Sequence, residues 1–299
     1  MKKAASFALG CKVNQYESEA IAELFAEKGY EIVGIDEEAD VYVINTCTVT
    51  NFGDKKSRQL IRKVKRQNEN AIVAVVGCYA QTAPKELMEI AGVNLVIGTK
   101  DRAQIVEMVE QYDRANGVEN HVSDIMKERV FEPLSIQKLA NRTRAYLKIQ
   151  DGCSQYCSYC IIPYARGPIR SREPQEVVSE VKRLAENGFK EVVLTGIHVA
   201  SYGKDRRDTS LLDILKQVHE VEGIERIRFS SIEPNVVTEE FAQTMAALPK
   251  VCDHFHLSLQ SGCDETLERM NRRYRSGEYR ERCELLREVY GNPALTTDV

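Results

Sequence analysis

Three cysteines, Cys153, Cys157 and Cys160, fall within eight consecutive positions of the segment DGCSQYCSYCIIPYARG, residues 151–167. Thiolates ligate soft metal centres. A structural zinc closes its tetrahedron with four ligands, and a four-iron cluster is normally held by four cysteines. A C-x3-C-x2-C segment with no fourth cysteine nearby therefore predicts a cluster with one iron left open. An open position is what metal chemistry needs, as catalytic zinc sites illustrate. The alternatives are a zinc knuckle or a set of buried thiols. Tyr159, directly before the last cysteine, adds an aromatic face suited to a purine.

A second set is spread along the chain. Cys11 follows SFALG, Cys47 follows VYVINT and Cys78 follows AIVAVVG, each one to three residues beyond a predicted parallel strand. Such strand ends line one crevice of an open α/β sheet, so the three thiols are expected to converge there. Small buried thiols at strand ends are the competing reading. Cys252, Cys263 and Cys283 match no ligand position and read as structural thiols, and His198, His254 and His256 read as packing or surface residues.

The elements that must position these residues alternate along the chain. Strand-like runs at 5–9, 41–44, 71–77 and 94–98 are separated by helical patterns near 16–28, 54–67, 84–90 and 101–112, which predicts a parallel sheet covered by helices. Residues 113–140 lose the rhythm and read as a linker between a domain at 1–112 and another at 141–299. The second domain repeats the alternation, with strands at 145–150, 191–196, 226–231 and 254–260 and helices near 174–187, 210–221, 238–247 and 264–289. A fifth strand begins at LTTDV, so the chain is expected to be a fragment whose sheet stops there.

With 299 residues, 43% of them hydrophobic, the chain is long enough for two cores, and no apolar run approaches the length of a membrane span. MKKAASFALGC mimics a lipoprotein signal, but its apolar stretch is too short. Nine cysteines, an odd number without a secretion signal, favour ligation in a reducing cytoplasm over disulfides. The net charge of -4 excludes a protein that is basic overall, so any nucleic-acid contact must be local.

The C-x3-C-x-aromatic-C motif after the first strand of a βα series resembles the radical S-adenosylmethionine (SAM) superfamily. That implies a partial (β/α)6 barrel, here truncated in its fifth strand, beside an N-terminal parallel-sheet α/β domain. LGCKVNQYESE, VINTCTVTNFGDKKSRQ and VVGCYAQ are similar to the N-terminal domain of methylthiotransferases, and the similarity covers essentially the whole chain. NTCTVTNFGDKKSRQ and RTRAYLKIQDGC most resemble the branch acting on N6-threonylcarbamoyladenosine in tRNA.

The resemblance implies two [4Fe-4S] clusters, one on Cys153, Cys157 and Cys160 that cleaves SAM, the other on Cys11, Cys47 and Cys78 that delivers sulfur. It places Tyr159, Thr195, Gly196, Ser231, Glu233, Gln260 and Ser261 near SAM. It also implies a tRNA substrate, a reducing electron-donor protein, a monomer with no membrane attachment, and a C-terminal TRAM domain that this chain lacks.

Replacing an aromatic C–H that is neither acidic nor electrophilic gives acid–base catalysis little purchase, whereas cofactor radical chemistry can act on it. For the RNA, KKSRQLIRKVKR carries seven basic residues and no acid, with Lys55, Lys56, Arg58 and Arg62 as candidate phosphate contacts. Arg166 and Arg170, beside the second cysteine set, are further candidates; Arg142, Arg144 and Arg172 lie in the same group. Competing functions are the same chemistry on isopentenyladenosine or on a ribosomal protein side chain, and a metal-binding or electron-transfer module without SAM cleavage.

Overall fold

The computed structural model describes residues 1–48, 51–136 and 144–299, with the backbone alone at 51–54. Arg142 lies outside the described residues. The chain divides into two compact units, Met1–Lys138 with Ile161–Pro168 and Leu139–Cys160 with Ile169–Val299.

The first unit contains β1 (Lys3–Ala8), α1 (Lys12–Glu27), β2 (Glu31–Ile32), β3 (Val41–Thr46), α2 (Asn51–Gln67), β4 (Ile72–Gly77), α3 (Cys78–Thr82), α4 (Pro84–Met88), β5 (Leu95–Val96), α5 (Ile105–Gln111) and β6 (Glu119–Asn120). Its strands form one parallel sheet in the order β2-β1-β3-β4-β5-β6. All six residues of β3 are buried, as a central parallel strand covered on both faces requires. On one face Ile21 and Phe25 of α1 and Ile105, Val106 and Val109 of α5 pack with Val41, Val43, Ala74 and Val76. On the other, Ile61 and Val64 of α2, Tyr79 of α3 and Leu87 of α4 pack with Tyr42, Ile44, Val73 and Val75.

Three local findings bear on the site. Helix α1 begins at Lys12, before the expected residue 16, because Gly10 takes φ +99 and lets Cys11 stand extended as the N-cap. The polar stretch read as a linker contributes β6, paired with β5, and the Leu134 carbonyl, which accepts from the Tyr16 hydroxyl at 2.7 Å. A short helix, α6 (Ile162–Arg166), lies in the segment that follows Cys160 and belongs to the first unit, although the sequence reading placed it with the second.

The second unit contains β7 (Arg144–Asp151), β8 (Arg170–Ser171), α7 (Pro174–Glu186), β9 (Glu191–Gly196), α8 (Leu211–His219), β10 (Arg226–Phe229), α9 (Glu239–Ala246), β11 (His254–His256), α10 (Asp264–Arg269), α11 (Ser276–Tyr290) and β12 (Ala294–Thr296). Strands β10, β9 and β7 are parallel neighbours, with β8 antiparallel on the edge. Bridges Ile227↔Val251 and Ile232↔Leu257 link this sheet to the parallel pair β11 and β12. The five parallel strands and their helices make the half-barrel that the sequence predicts. Its expected helix at 264–289 is broken into α10 and α11, because Asn271 adopts φ +57, a conformation its short polar side chain tolerates.

Candidate metal centres

In the second unit Cys153, Cys157 and Cys160 occupy an irregular, half-buried loop after β7, and all three are free thiols. The loop is held from below. Gln150, fully buried, donates from Nε2 to the carbonyls of Asp151 at 2.6 Å and Gly152 at 2.7 Å, while its Oε1 accepts from the His198 backbone N–H at 2.8 Å. Asp151 pairs with Lys148 at 2.6 Å and with Arg170 at 3.5 Å, all three buried. From the other side the Asn271 amide donates to the Tyr156 carbonyl at 2.9 Å, and the Ser158 hydroxyl to the Arg269 carbonyl at 2.8 Å. Asn271 is thus useful where it breaks the helix.

The thiols are electrostatically crowded. Burial pushes the Cys153 thiol up to about 11; a hydrogen bond from the Gln155 backbone opposes this, and Cys160 and Cys157 reinforce it. A metal that binds thiolates removes this mutual opposition. Arg272 brings a cation, donating from Nη1 to Cys157 Sγ at 3.2 Å, with its guanidinium 5.1 Å from the Tyr274 ring centroid. Among the described residues no three Cys, His, Asp or Glu side chains are grouped to hold a single ion. Three thiols on one loop are a donor set that suits a sulfur-ligated cluster with one open position.

Around this loop the Tyr159 hydroxyl donates to Gln260 Oε1 at 3.0 Å, and Gln260 itself has φ +68. Glu233 is buried and accepts from Gln155 Nε2 at 3.2 Å. His198 Nε2 lies 3.6 Å from Glu233, yet burial pushes the ring down to about 4, with Lys204 and Arg272 acting the same way. The ring is neutral, so this is not an ion pair at neutral pH. Thr195 is buried in β9, and a Cβ on Gly196 would come 2.7 Å from Gln150 Oε1. Ser231 is exposed, and the Ser261 hydroxyl accepts from the Cys263 backbone N–H at 3.1 Å. Sequence reasoning did not single out Gln150, Gln155, Asn271 or Tyr274; their amides and hydroxyl, buried except at Asn271, have no motif spacing to announce them.

In the first unit the candidate ligands follow three adjacent parallel strands, Cys11 after β1, Cys47 after β3 and Cys78 after β4. Two polar side chains stitch these strand ends together. Asn14 Nδ2 donates to the carbonyls of Leu9 at 2.8 Å and Thr46 at 3.0 Å. The Thr46 hydroxyl donates to the Val76 carbonyl at 2.6 Å. A Cβ on Gly10 would lie 2.6 Å from Cys47 Sγ, so only glycine permits that approach. Cys47 and Cys78 are buried and Cys11 is exposed.

The arginines divide sharply. Lys55, Lys56 and Arg62 are exposed on α2, while Arg58 is tied to Glu86 and the Tyr79 hydroxyl, each at 2.6 Å. Beside α2 runs a groove of about 980 Å³, lined by Phe7, Leu60, Lys56, Arg62, Lys63 and Arg66 among others. Arg166 and Arg170, expected to meet RNA, are 0% and 3% exposed. Each is spent on internal charge, Arg166 on Glu17 at 2.5 Å and Arg170 on Asp151. Arg172 is likewise buried against Glu180 at 2.6 Å.

Residues 3–98 match the family described as Uncharacterized protein family UPF0004, and residues 147–299 match the Radical SAM superfamily. The chain is 47% identical, over its full length, to Threonylcarbamoyladenosine tRNA methylthiotransferase MtaB of Bacillus subtilis, covering 66% of that protein. It is 40% identical to MtaB of Aquifex aeolicus, covering 99% of this chain and 72% of that one. A tRNA-2-methylthio-N(6)-dimethylallyladenosine synthase of Dictyoglomus thermophilum is 35% identical over 97% of this chain, and 66% of its own length is matched. Among solved structures, the radical SAM methyltransferase TsrM of Kitasatospora setae aligns with a TM-score of 0.65 at 16% identity, over 99% of this chain and 67% of that one, a likeness of fold. The chain spans roughly two thirds of the length of its curated relatives, and it belongs to the methylthiotransferase family of radical SAM proteins.

Proposed function

We propose that this chain is the catalytic portion of an enzyme that methylthiolates carbon 2 of the adenine in N6-threonylcarbamoyladenosine 37, next to the tRNA anticodon. The observation that carries this reading is the pair of three-cysteine sets, each beyond the carboxyl ends of parallel strands, in a chain 47% identical to a protein named for that activity. When bound, the iron–sulfur clusters and SAM would supply the radical and the sulfur for an unreactive C–H. The residues supply the holding and the charge. Cys153, Cys157 and Cys160 would ligate one cluster on a loop fixed by Gln150 and Asn271, with Arg272 offsetting thiolate charge. Tyr159 with Gln260, Glu233 with Gln155, and Thr195, Gly196, Ser231 and Ser261 would be the SAM contacts. Cys11, Cys47 and Cys78 would ligate the second cluster, the site of sulfur delivery. Lys55, Lys56 and Arg62 present cations for RNA phosphates, which dominate nucleic-acid affinity. The same reading includes a reducing protein donor and a monomer working in the cytoplasm.

Anaerobic loading with iron and sulfide should give about eight irons per chain, four for each cluster. A Cys47→Ala variant should lose half of them, and the loaded protein with dithionite should release 5′-deoxyadenosine from SAM. Tightly bound zinc, or iron unchanged by Cys47→Ala, sinks the two-cluster reading. For the substrate, nucleosides of tRNA from a deletion strain should lack the methylthio group on threonylcarbamoyladenosine. Its loss from isopentenyladenosine instead would overturn the assignment.

A further inference from the structure

Arg166 is fully enclosed, and its nitrogens are divided between a candidate ligand and the groups that hold it in place. Its Nε donates to Cys78 Sγ at 3.1 Å, and its Nη1 meets Glu17 Oε1 at 2.5 Å. Its Nη2 donates to Asn14 Oδ1 at 2.6 Å and Glu17 Oε2 at 3.0 Å. Asn14 Oδ1 also accepts from the Cys11 thiol at 3.7 Å. One guanidinium therefore touches Cys78 directly and, through Asn14, the residue that orients Cys11.

The charges around Arg166 are matched before any thiolate is counted. Glu17, also fully buried, is shared with Arg102, whose Nη1 lies 2.6 Å from Glu17 Oε2. Arg102 in turn reaches Glu132 Oε2 through its Nε at 2.9 Å. Two guanidiniums and two carboxylates balance without counting any thiolate. Three thiolates added to this enclosure bring negative charge that only the metal centre and the nearest guanidinium can offset. Were Arg166 merely a packing or ion-pair residue, nothing would require its Nε to face sulfur.

We infer that Arg166 is a positioning residue for the metal centre of Cys11, Cys47 and Cys78, balancing its charge and holding its reduction potential above the value set by thiolates alone. The inference rests on reading those cysteines as ligands. Net charge and hydrogen bonds to sulfur are the protein's means of setting such potentials. Glu17 and Asn14 aim the guanidinium, and Cys78 receives it.

The test uses the full chain carrying Cys153→Ala, Cys157→Ala and Cys160→Ala, loaded anaerobically with iron and sulfide, so that only the first-unit centre is read. Its midpoint potential is followed by electron paramagnetic resonance during reductive titration. Arg166→Met should lower the potential by about 59 mV or more, a tenfold change in a one-electron equilibrium. Arg166→Lys, which keeps the charge, should recover at least half of that shift. If Arg166→Met holds no iron, the double variant Arg166→Met with Glu17→Gln removes one charge of each sign and should load with a potential below the parent's by less than about 59 mV, since the hydrogen bond to Cys78 is lost while the net charge is kept. Equal potentials in the parent, Met and Lys proteins overturn the inference, as does a Lys variant that shifts as far as Met or fails to load. A parent that binds no iron refutes instead the ligand reading beneath it.

Discussion

Replacing Glu17 by Gln keeps its shape and removes the anion shared by Arg102 and Arg166. The carboxylate is 0% exposed, as are both arginines, with contacts of 2.6 Å to Arg102 and 2.5 Å to Arg166. Two unit charges about 4 Å apart at an effective dielectric of about 20 interact by roughly 4 kcal/mol, and Glu17→Gln surrenders that attraction to two guanidiniums at once. The amide oxygen still accepts one charge-assisted hydrogen bond, returning about 1.5–3 kcal/mol. Those terms leave about 5–6.5 kcal/mol, and the desolvation of the carboxylate, no longer incurred, offsets part of it, so the net expectation is a loss of about 3–5 kcal/mol, the range for breaking a buried pair from one side. At about 2–4 °C per kcal/mol this lowers the first unit's melting temperature by roughly 6–20 °C. The assay is urea and thermal unfolding of the metal-free chain by circular dichroism, fitted with a separate transition for each unit. A matched control is Glu31→Gln, whose exposed partner Lys3 lies 3.9 Å away and should cost no more than about 1 kcal/mol. A cycle pairing Glu17→Gln with Arg102→Met should show about 1–3 kcal/mol of coupling. If Glu17→Gln costs no more than the surface control, the buried network is not what holds α1 to the rest of the unit.

Three further outcomes follow from the same geometry. His198 has its folded pKa pushed down to about 4 by burial; since the unfolded ring takes its proton first, stability is full above about pH 7 and falls between about 6.5 and 4, by about 3 kcal/mol. His198→Asn should flatten that part of the pH profile in urea titrations, and an unchanged slope would refute the assignment. Gly77→Ala forces a Cβ at φ +94 to within 2.3 Å of Asn45 Oδ1 and 2.7 Å of the Thr46 carbonyl, so it should cost more than the roughly 1–2 kcal/mol of the backbone conformation alone. Gly29→Ala, at φ +84 with nothing within 4 Å, is its comparison, and only Gly77→Ala should reduce iron bound beside Cys78. Converting Arg62 and Arg66 together to Glu should weaken tRNA binding and lower the slope of log affinity against log salt by about two. Arg170→Met should lower the second unit's melting temperature and leave that slope unchanged.

Much of the architecture was legible because parallel strands buried on both faces are written as continuous apolar runs, as in VYVINT and AIVAVVG. What escaped was set by single residues or by partners distant in sequence. Strands β2, β6 and β8 are two residues long and exist only through pairing, so no periodicity can reveal them. Asn271 breaks a stretch that otherwise has helical spacing, and its reward is a hydrogen bond to Tyr156, 115 residues earlier. The cysteines themselves were legible at the strand ends. The stitches that bring those ends together were not, since Asn14 and Thr46 look like ordinary polar residues until their carbonyl partners are known.

The basic residues show why charge alone misled in one place and not in another. In KKSRQLIRKVKR, Ser57, Ile61 and Val64 are the buried positions, four and then three apart, and all are 0% exposed. A helix that buries this stripe must turn Arg62 and Arg66 outward, so their exposure follows from the 3.6-residue period. Arg166 and Arg170 have no such constraint. They sit in a five-residue helix and a two-residue strand, elements too short to define a solvent face, and each found a buried carboxylate on another element, Glu17 on α1 and Asp151 on β7. Burying a guanidinium is tolerable only when it is paired and hydrogen-bonded, so the acidic partners had to be buried too. Glu17 falls among the apolar and small residues of α1, between Tyr16 and Ser18, all three buried. A carboxylate on the buried stripe of a helix is the sequence signal for an internal cation. Reading α1 for that exception points inward to an arginine, and leaves only the choice of arginine to the tertiary fold.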